Sequence, residues 1–280
     1  MKECRNRATG WKYAKLTGHI NENQVKFLID TDEEYRLEFL ERVGCTNDTI
    51  IRCTVGGLHE KNVAGILGRK TKSKTDLKIY CSSGKQINVS IKKSLGGQVY
   101  FVRVDLFFQV FEKQFGKMIP ENVKRAMRLF WAAADDAVSI IEQYADKSDV
   151  KNYNLQIRHK SLNATTLLHY NSSLYKAMLI WFVENAYELT KLSFTMGAAQ
   201  NPQDWSEYVW YINTLGEVQV DEIFHIEELC SAAKDNAVKK TVYGDCNGGT
   251  TIQLPFGFVQ WHQAQMQFHH LYWKVKELYD

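Results

Sequence analysis

Apolar and polar positions alternate strictly in one central stretch of the chain and recur at helical spacing through much of the rest. Between residues 74 and 93, Leu77 and Ile79 alternate with Asp76, Lys78 and Tyr80. Ile87, Val89 and Ile91 then alternate with Asn88, Ser90 and Lys92. That period of two belongs to strands with one buried face, and Ser82-Ser83-Gly84 supplies the turn between them. A hairpin centred near Ser83 sets Asp76 opposite Ser90 and puts Ser90 and Lys92 on one side of the sheet.

Elsewhere the pattern predicts the following. Residues up to about Lys15 are basic and polar and read as an irregular arm. Asn21 reads as a helix N-cap ahead of a stripe of Val25, Leu28 and Ile29. Thr31-Asp32 followed by Glu34 forms a second capping site, Leu37, Leu40 and Val43 continue the apolar face, and Gly44 ends it. Residues 49–55 read as a strand. Lys93 to Gln98 reads as a glycine turn, and Val99 to Phe111 enter a mostly helical half. Pro120-Glu121 opens a helix whose stripe runs from Val123 to Ile141, and another helix covers roughly 172–189. Asp204 to Ile212 fits a strand or a short helix, and Glu222 to Ala233 reads as helical. Strands follow at 240–244 and 250–255 around a turn at Asn247-Gly248-Gly249. Finally, Gln260 and His262 share one strand face, while Gln265, Gln267 and His269 share another, alternating with Met266 and Phe268.

The 280 residues suffice for one large domain or two modest ones. A net charge of +3 leaves no polybasic tail, so any nucleic-acid binding rests on local patches. The six cysteines show neither CxxC pairing nor zinc-ligand spacing, and read as reduced thiols. No apolar run reaches membrane-spanning length, and Met-Lys-Glu-Cys-Arg is not a signal peptide. A cytoplasmic protein without membrane association is expected.

Three groups of residues carry candidate chemistry. A carboxylate (Asp76), a hydroxyl (Ser90) and an ammonium (Lys92) converge on the polar face of the hairpin. Such a carboxylate at a strand end can hold a hydrated magnesium ion beside a phosphodiester, with the lysine orienting the nucleophile or stabilising charge. Against this stands an ordinary surface hairpin with solvated charges. Arg69, Lys70, Lys72 and Lys74 lie in a glycine-bounded segment whose spacing fails the phosphate-loop pattern. They read as a basic loop contacting a DNA backbone, or as a solvated loop. The glutamines and histidines of the last strands could read bases in a major groove, or form a neutral polar sheet face. A metal-binding histidine cluster lacks a cysteine or carboxylate partner at fixed spacing.

With these residues in view, the hairpin resembles the core of PD-(D/E)xK nucleases, most closely type II restriction endonucleases, in which Lys-x-Asp precedes a strand ending x-Ile/Val-Lys. The resemblance implies that Asp76 binds metal and that Lys92 is the catalytic lysine. Ser90 stands where the family usually carries Asp or Glu, a departure that members cutting short palindromes share by carrying Gln or Asn there. Gly18-His-Ile-Asn21-Glu22 resembles the first helix of the small members, implying that Glu22 is a second metal-binding and catalytic carboxylate; its alternative is a plain helix-dipole partner. The last strand resembles the family's Gln…Met-Gln-Phe strand, which enters the DNA groove. The DNA-contacting set implied comprises Arg69, Lys70, Lys72, Lys74, Lys93, Gln98, Gln260, His262, Gln265, Gln267 and His269.

The resemblance further implies an α/β (α+β) fold, a restriction-endonuclease-like core with a mixed central sheet flanked by helices and a C-terminal β-rich recognition element. Residues 1–280 would form one domain: a catalytic core over 1–115, a mostly helical part over 116–235 and recognition strands over 236–280. The implied activity is Mg2+-dependent, site-specific cleavage of double-stranded DNA at a short, four-base-type sequence. A cognate DNA methyltransferase would be encoded separately, and the enzyme would act as a homodimer on DNA or as a monomer. The alternatives are a structure-specific repair or junction nuclease of the same fold, and a catalytically inactive DNA-binding module.

Overall fold

The computed structural model describes residues 7–56, 62–131, 133–216, 219–244 and 249–279. Its first helices are α1 (Arg7–Thr31) and α2 (Glu33–Arg42). The expected irregular arm is therefore helix from Arg7 onward, and Asn21 lies in mid-helix rather than at a cap. The capping expectation at Asp32 holds, since its carboxylate accepts from the Tyr35 amide at 3.1 Å. Leu37 is exposed, and Phe39 joins Leu40 and Val43 in the core in its place.

A five-stranded mixed sheet follows from β1 (Ile50–Val55), β4 (Leu77–Cys81), β5 (Gln86–Lys92), β7 (Tyr208–Ile212) and β8 (Asp221–His225), in the order β1-β4-β5-β7-β8. The short pair β2 (Val63–Ala64) and β3 (Lys70–Thr71) precedes β4. The β5–β7 pair is parallel and the others antiparallel. A parallel neighbour requires a crossover, and the chain between β5 and β7 supplies it. Every residue of Tyr208-Val-Trp-Tyr-Ile212 is buried, as for a parallel strand covered on both faces. Such a run has no period, which is why helix and strand could not be separated there. β5 is likewise buried on both faces over Ile87–Ile91, so the polar face of the hairpin is packed rather than open to solvent.

The second sheet is antiparallel, in the order β6-β12-β11-β10-β9, from β6 (Gly96–Arg103), β9 (Val242–Gly244), β10 (Thr251–Leu254), β11 (Gly257–His262) and β12 (Gln265–Leu271). β6 falls where a turn leading into helix was expected. Its alternation is broken by a bulge: Phe268 pairs with Tyr100 and His269 with Gln98, leaving Val99 without a partner across the pair. Val99 and Tyr100 are then buried in succession, and the period of two disappears from the sequence. Of the expected 247–249 turn only Gly249 lies among the described residues; its φ is +79°.

Helices α3 (Val104–Phe115), α4 (Glu121–Phe130), α5 (Ala137–Tyr144), α6 (Val150–His159), α7 (Ala164–Tyr170), α8 (Ser172–Glu184) and α9 (Ala186–Lys191) fill the crossover. The stripe from Val123 to Ile141 is two helices, because the chain turns after Trp131 and Asp136 folds back onto the Arg125 fork at 2.8 and 2.6 Å. Helices α10 (Ile226–Asp235), α11 (Ala237–Lys240) and α12 (Tyr272–Lys276) complete the chain; the first residues of the expected 222–233 helix belong to β8.

Two hydrophobic clusters sandwich the mixed sheet. Val25, Ile29, Phe39 and Leu40 from α1 and α2 pack on one face with Leu77, Ile79, Ile87 and Val89. Val209, Tyr211 and Phe224 look the other way, into a larger core shared with the second sheet and the crossover helices. The fold is mixed α/β, with a mixed central sheet flanked by helices, and its two sheets interleave along the chain: β6 precedes the helical crossover, while β7 and β8 follow it. The four described cysteines are free. Among the described residues, no helix is long and apolar enough to cross a membrane.

Candidate active site

The observed register, Leu77 opposite Val89, sets Asp76 opposite Ser90. The Asp76 amide donates to the Val89 carbonyl at 2.8 Å, and its own carbonyl accepts from Gly56 at 2.8 Å, so the backbone is held from both sides. Its Oδ2 accepts from the Ile91 amide at 2.7 Å and from the Ser90 hydroxyl at 3.3 Å. Lys92 Nζ in turn donates to Ser90 Oγ at 2.5 Å and to the Ile91 carbonyl at 3.3 Å. Ser90 therefore links acid and base: its proton goes to Asp76 and one lone pair takes the ammonium.

Glu22 reaches this group because α1 is pinned to the end of β7. Asn21, fully buried, donates to the Ile212 carbonyl at 3.0 Å and accepts from the Thr214 amide and hydroxyl at 2.8 and 2.9 Å. The next residue, Glu22, lies close enough to Asp76 and Lys92 for their charges to act on it, and its Oε2 is bonded to His19 Nδ1 at 3.0 Å. Burial raises the Glu22 pKa, and the Asp76 charge raises it further, while His19 and Lys92 oppose the shift. Burial also raises the Asp76 pKa, opposed by Lys92, the Ile91 amide, Ser90 and Lys74. Lys92 is shifted down by its own burial, against the pull of Asp76 and then Glu22. For both carboxylates burial thus outweighs the nearby cations and hydrogen bonds and holds them above the usual carboxylate range.

No set of three His, Cys, Asp or Glu side chains suited to a metal occurs among the described residues. The oxygen donors that could serve a cation here are the carboxylates of Asp76 and Glu22. That pair suits magnesium, which takes one or two carboxylates and completes its shell with water and phosphate oxygens, and a divalent cation would relieve the repulsion between them. Structural zinc sites are built mainly from cysteine and histidine donors, which these two carboxylates do not supply.

Of the basic segment, Arg69, Lys70 and Lys72 are exposed. Lys74 is partly buried instead: its Nζ donates to the Val99 carbonyl and sits 5.1 Å from the Tyr100 ring centroid. In sequence the four are alike, cations on one short stretch. Lys93 directly follows the site at the end of β5. A cavity of about 530 Å³ joins Arg69, Lys70, Lys72 and Lys74 to Gln98 and Phe101 of β6.

The C-terminal polar residues form one face, not two. The β11–β12 register opposes His262 to Gln265, Gln260 to Gln267 and Phe258 to His269, so all share a side of the sheet. Gln260 donates to Gln267 at 3.0 Å and lies 3.3 Å from His269 Nε2, and Gln267 donates to Gln98 at 2.7 Å. Phe101 lies on this face too, with its ring edge-on to His262. Burial and the neighbouring His262 push His269 down to about 4, so it is a neutral imidazole near pH 7 with one donor and one acceptor. On the opposite, buried face of β12, His270 Nδ1 and the Tyr211 hydroxyl lie 2.9 Å apart, tying the second sheet to the strand beside Lys92.

No protein-family profile matches the chain, and no curated protein sequence matches it. Among solved structures, the chain is similar to the restriction endonuclease MspI in complex with its cognate DNA: 10% sequence identity, 85% of this chain and 77% of that chain covered, TM-score 0.45.

Proposed function

We propose that the protein is a Mg2+-dependent endonuclease that cuts double-stranded DNA at a short sequence, as type II restriction enzymes do. The observation that carries this reading is the Asp76–Ser90–Lys92 hydrogen-bonded chain at the strand ends with Glu22 beside it. Asp76 and Glu22 would hold the magnesium ion, which when bound lowers the pKa of its water and offsets charge on the phosphodiester. Asp76 is pre-oriented by the Ile91 amide and Ser90, so little reorganisation is needed on binding. Lys92 is aimed by Ser90 and the Ile91 carbonyl, and its ammonium can orient the attacking water or stabilise charge developing on phosphate oxygen. Ser90 fills the position of the family's second acid as a bridge.

The exposed cations Arg69, Lys70 and Lys72 would contact the DNA backbone, with Lys93 at the edge of the site. Gln98, Gln260, His262, Gln265, Gln267 and His269 form the candidate base-reading face; amides suit adenine, and a neutral imidazole can donate to a purine acceptor. A methyltransferase protecting the same site and a two-fold dimer on a palindrome accompany this reading.

Incubation with plasmid DNA tests it. Discrete fragments with magnesium and none with chelator are expected. Nicking confined to branched or damaged DNA would favour the repair-nuclease alternative, and binding without cutting would leave a DNA-binding module.

A further inference from the structure

Lys74 stands apart from the basic residues around it. Its backbone is fixed by the loop before β7: the Ser73 and Thr75 hydroxyls both donate to the Asp204 carbonyl, at 2.7 and 3.1 Å. Lys78, on the strand that follows, holds the Asp204 carboxylate at 2.9 Å. With Thr75 buried into that loop, the side chain of Lys74 leaves in another direction and enters a built slot. Its stem packs on Gly197, where an added Cβ would lie only 3.1 Å from Cε and where φ is +51°. Its ammonium lies beside the Tyr100 ring and donates to the carbonyl of Val99. Val99 is the bulged residue of β6, one residue from Gln98 and two from Phe101 on the polar face. At the other end, Lys74 is two residues from Asp76 and close enough to Asp76 and Lys92 for their charges to act on it.

We propose that Lys74 is a positioning residue that locks the bulge of the base-reading strand to the Asp76–Lys92 pair, and not a contact to the DNA backbone. The inference rests on the endonuclease reading above. A bulge carbonyl left without its cation would let β6 settle differently on β12, and a small misplacement of reacting groups costs on the order of tenfold or more in rate.

Lys74→Met keeps the stem over Gly197 and removes only the ammonium; Lys74→Arg keeps the charge but changes its reach. The test uses the full chain. Plasmid cleavage with magnesium gives kcat and KM, and binding of a mixed-sequence duplex in chelator gives the salt dependence. The expected result for Lys74→Met is a kcat at least tenfold lower, with KM and the salt slope unchanged. Lys74→Arg should also lose turnover, and it serves as the test if the methionine variant fails to fold. A salt slope lower by about one with turnover retained would mark a phosphate contact and overturn the proposal, as would wild-type kcat in both variants. If the wild-type protein leaves plasmid intact, the endonuclease reading fails and this proposal with it; if the wild type cuts and the variants cut equally well, only the proposal fails.

Discussion

The Ser90 hydroxyl stands between Asp76 and Lys92, donating to Oδ2 of the first at 3.3 Å and accepting from the ammonium of the second at 2.5 Å. Changing Ser90 therefore costs both neighbours a partner, and changing either neighbour costs Ser90 one, but the losses differ in kind. Asp76→Ala removes a carboxylate that orients the site, and Lys92→Ala removes its cation. Both should lower plasmid cleavage by on the order of 10³-fold or more while leaving DNA binding measurable by gel shift. Ser90→Ala should cost less, because the Ile91 amide still holds Asp76 and the Ile91 carbonyl still holds Lys92. Full activity in Asp76→Ala would exclude the assigned role.

Asn21 is the tie between helix and sheet. Asn21→Ala leaves the Ile212 carbonyl and the Thr214 amide without their partner in a fully buried setting. A loss of about 1–3 kcal/mol is expected, read from the urea midpoint. Asn21→Asp should be no rescue, because a carboxylate offers no donor to the Ile212 carbonyl.

The contrast between Asp76 and Asn21 shows what a sequence can disclose. The hairpin was legible because Leu77 to Lys92 keep a strict alternation with a turn between, and register then follows from turn position. Asn21 was misread because an Asn ahead of an apolar stripe has the local signature of a cap, and only a partner 191 residues away explains it. β6 is hidden because the bulge at Val99 destroys its period, and β7 stays open between strand and short helix because a strand buried on both faces has none. Lys74 and Lys72 are indistinguishable as letters; the slot beside Tyr100 separates them.

His269 should make the fold acid-sensitive in a definite window. His269 titrates near 6.5 when unfolded and is pushed down to about 4 in the fold by burial and by His262. Between those values the unfolded chain binds the extra proton, so stability rises with pH there and falls as pH drops from 6.5 toward 4. His270, pushed to about 3 by burial, then Lys92 and His269, acts in the same direction. Urea midpoints of wild type and His269→Gln across pH 4 to 7 should converge at the acid end, since the variant lacks one of the two buried imidazoles. Parallel profiles would contradict the burial-driven shift.

The basic loop and the polar sheet face border one cavity, yet they should fail differently when mutated. Arg69 and Lys70 are exposed and present only charge; if they meet the DNA backbone as proposed, neutralising either would remove a counterion-release contribution that is blind to sequence. Arg69→Ala should therefore weaken binding to every duplex alike and lower the salt slope by about one. Gln267 is held in place by Gln260 on one side and donates to Gln98 on the other, so its amide is oriented before any base arrives. Gln267→Ala should leave the salt slope unchanged and cost about 1–3 kcal/mol of discrimination at one base pair. Competition binding of a randomised duplex pool separates the two, because one variant rescales all sequences and the other reorders them. If Gln267→Ala rescaled all sequences equally, the glutamine face would be a polar surface and not the reader of bases.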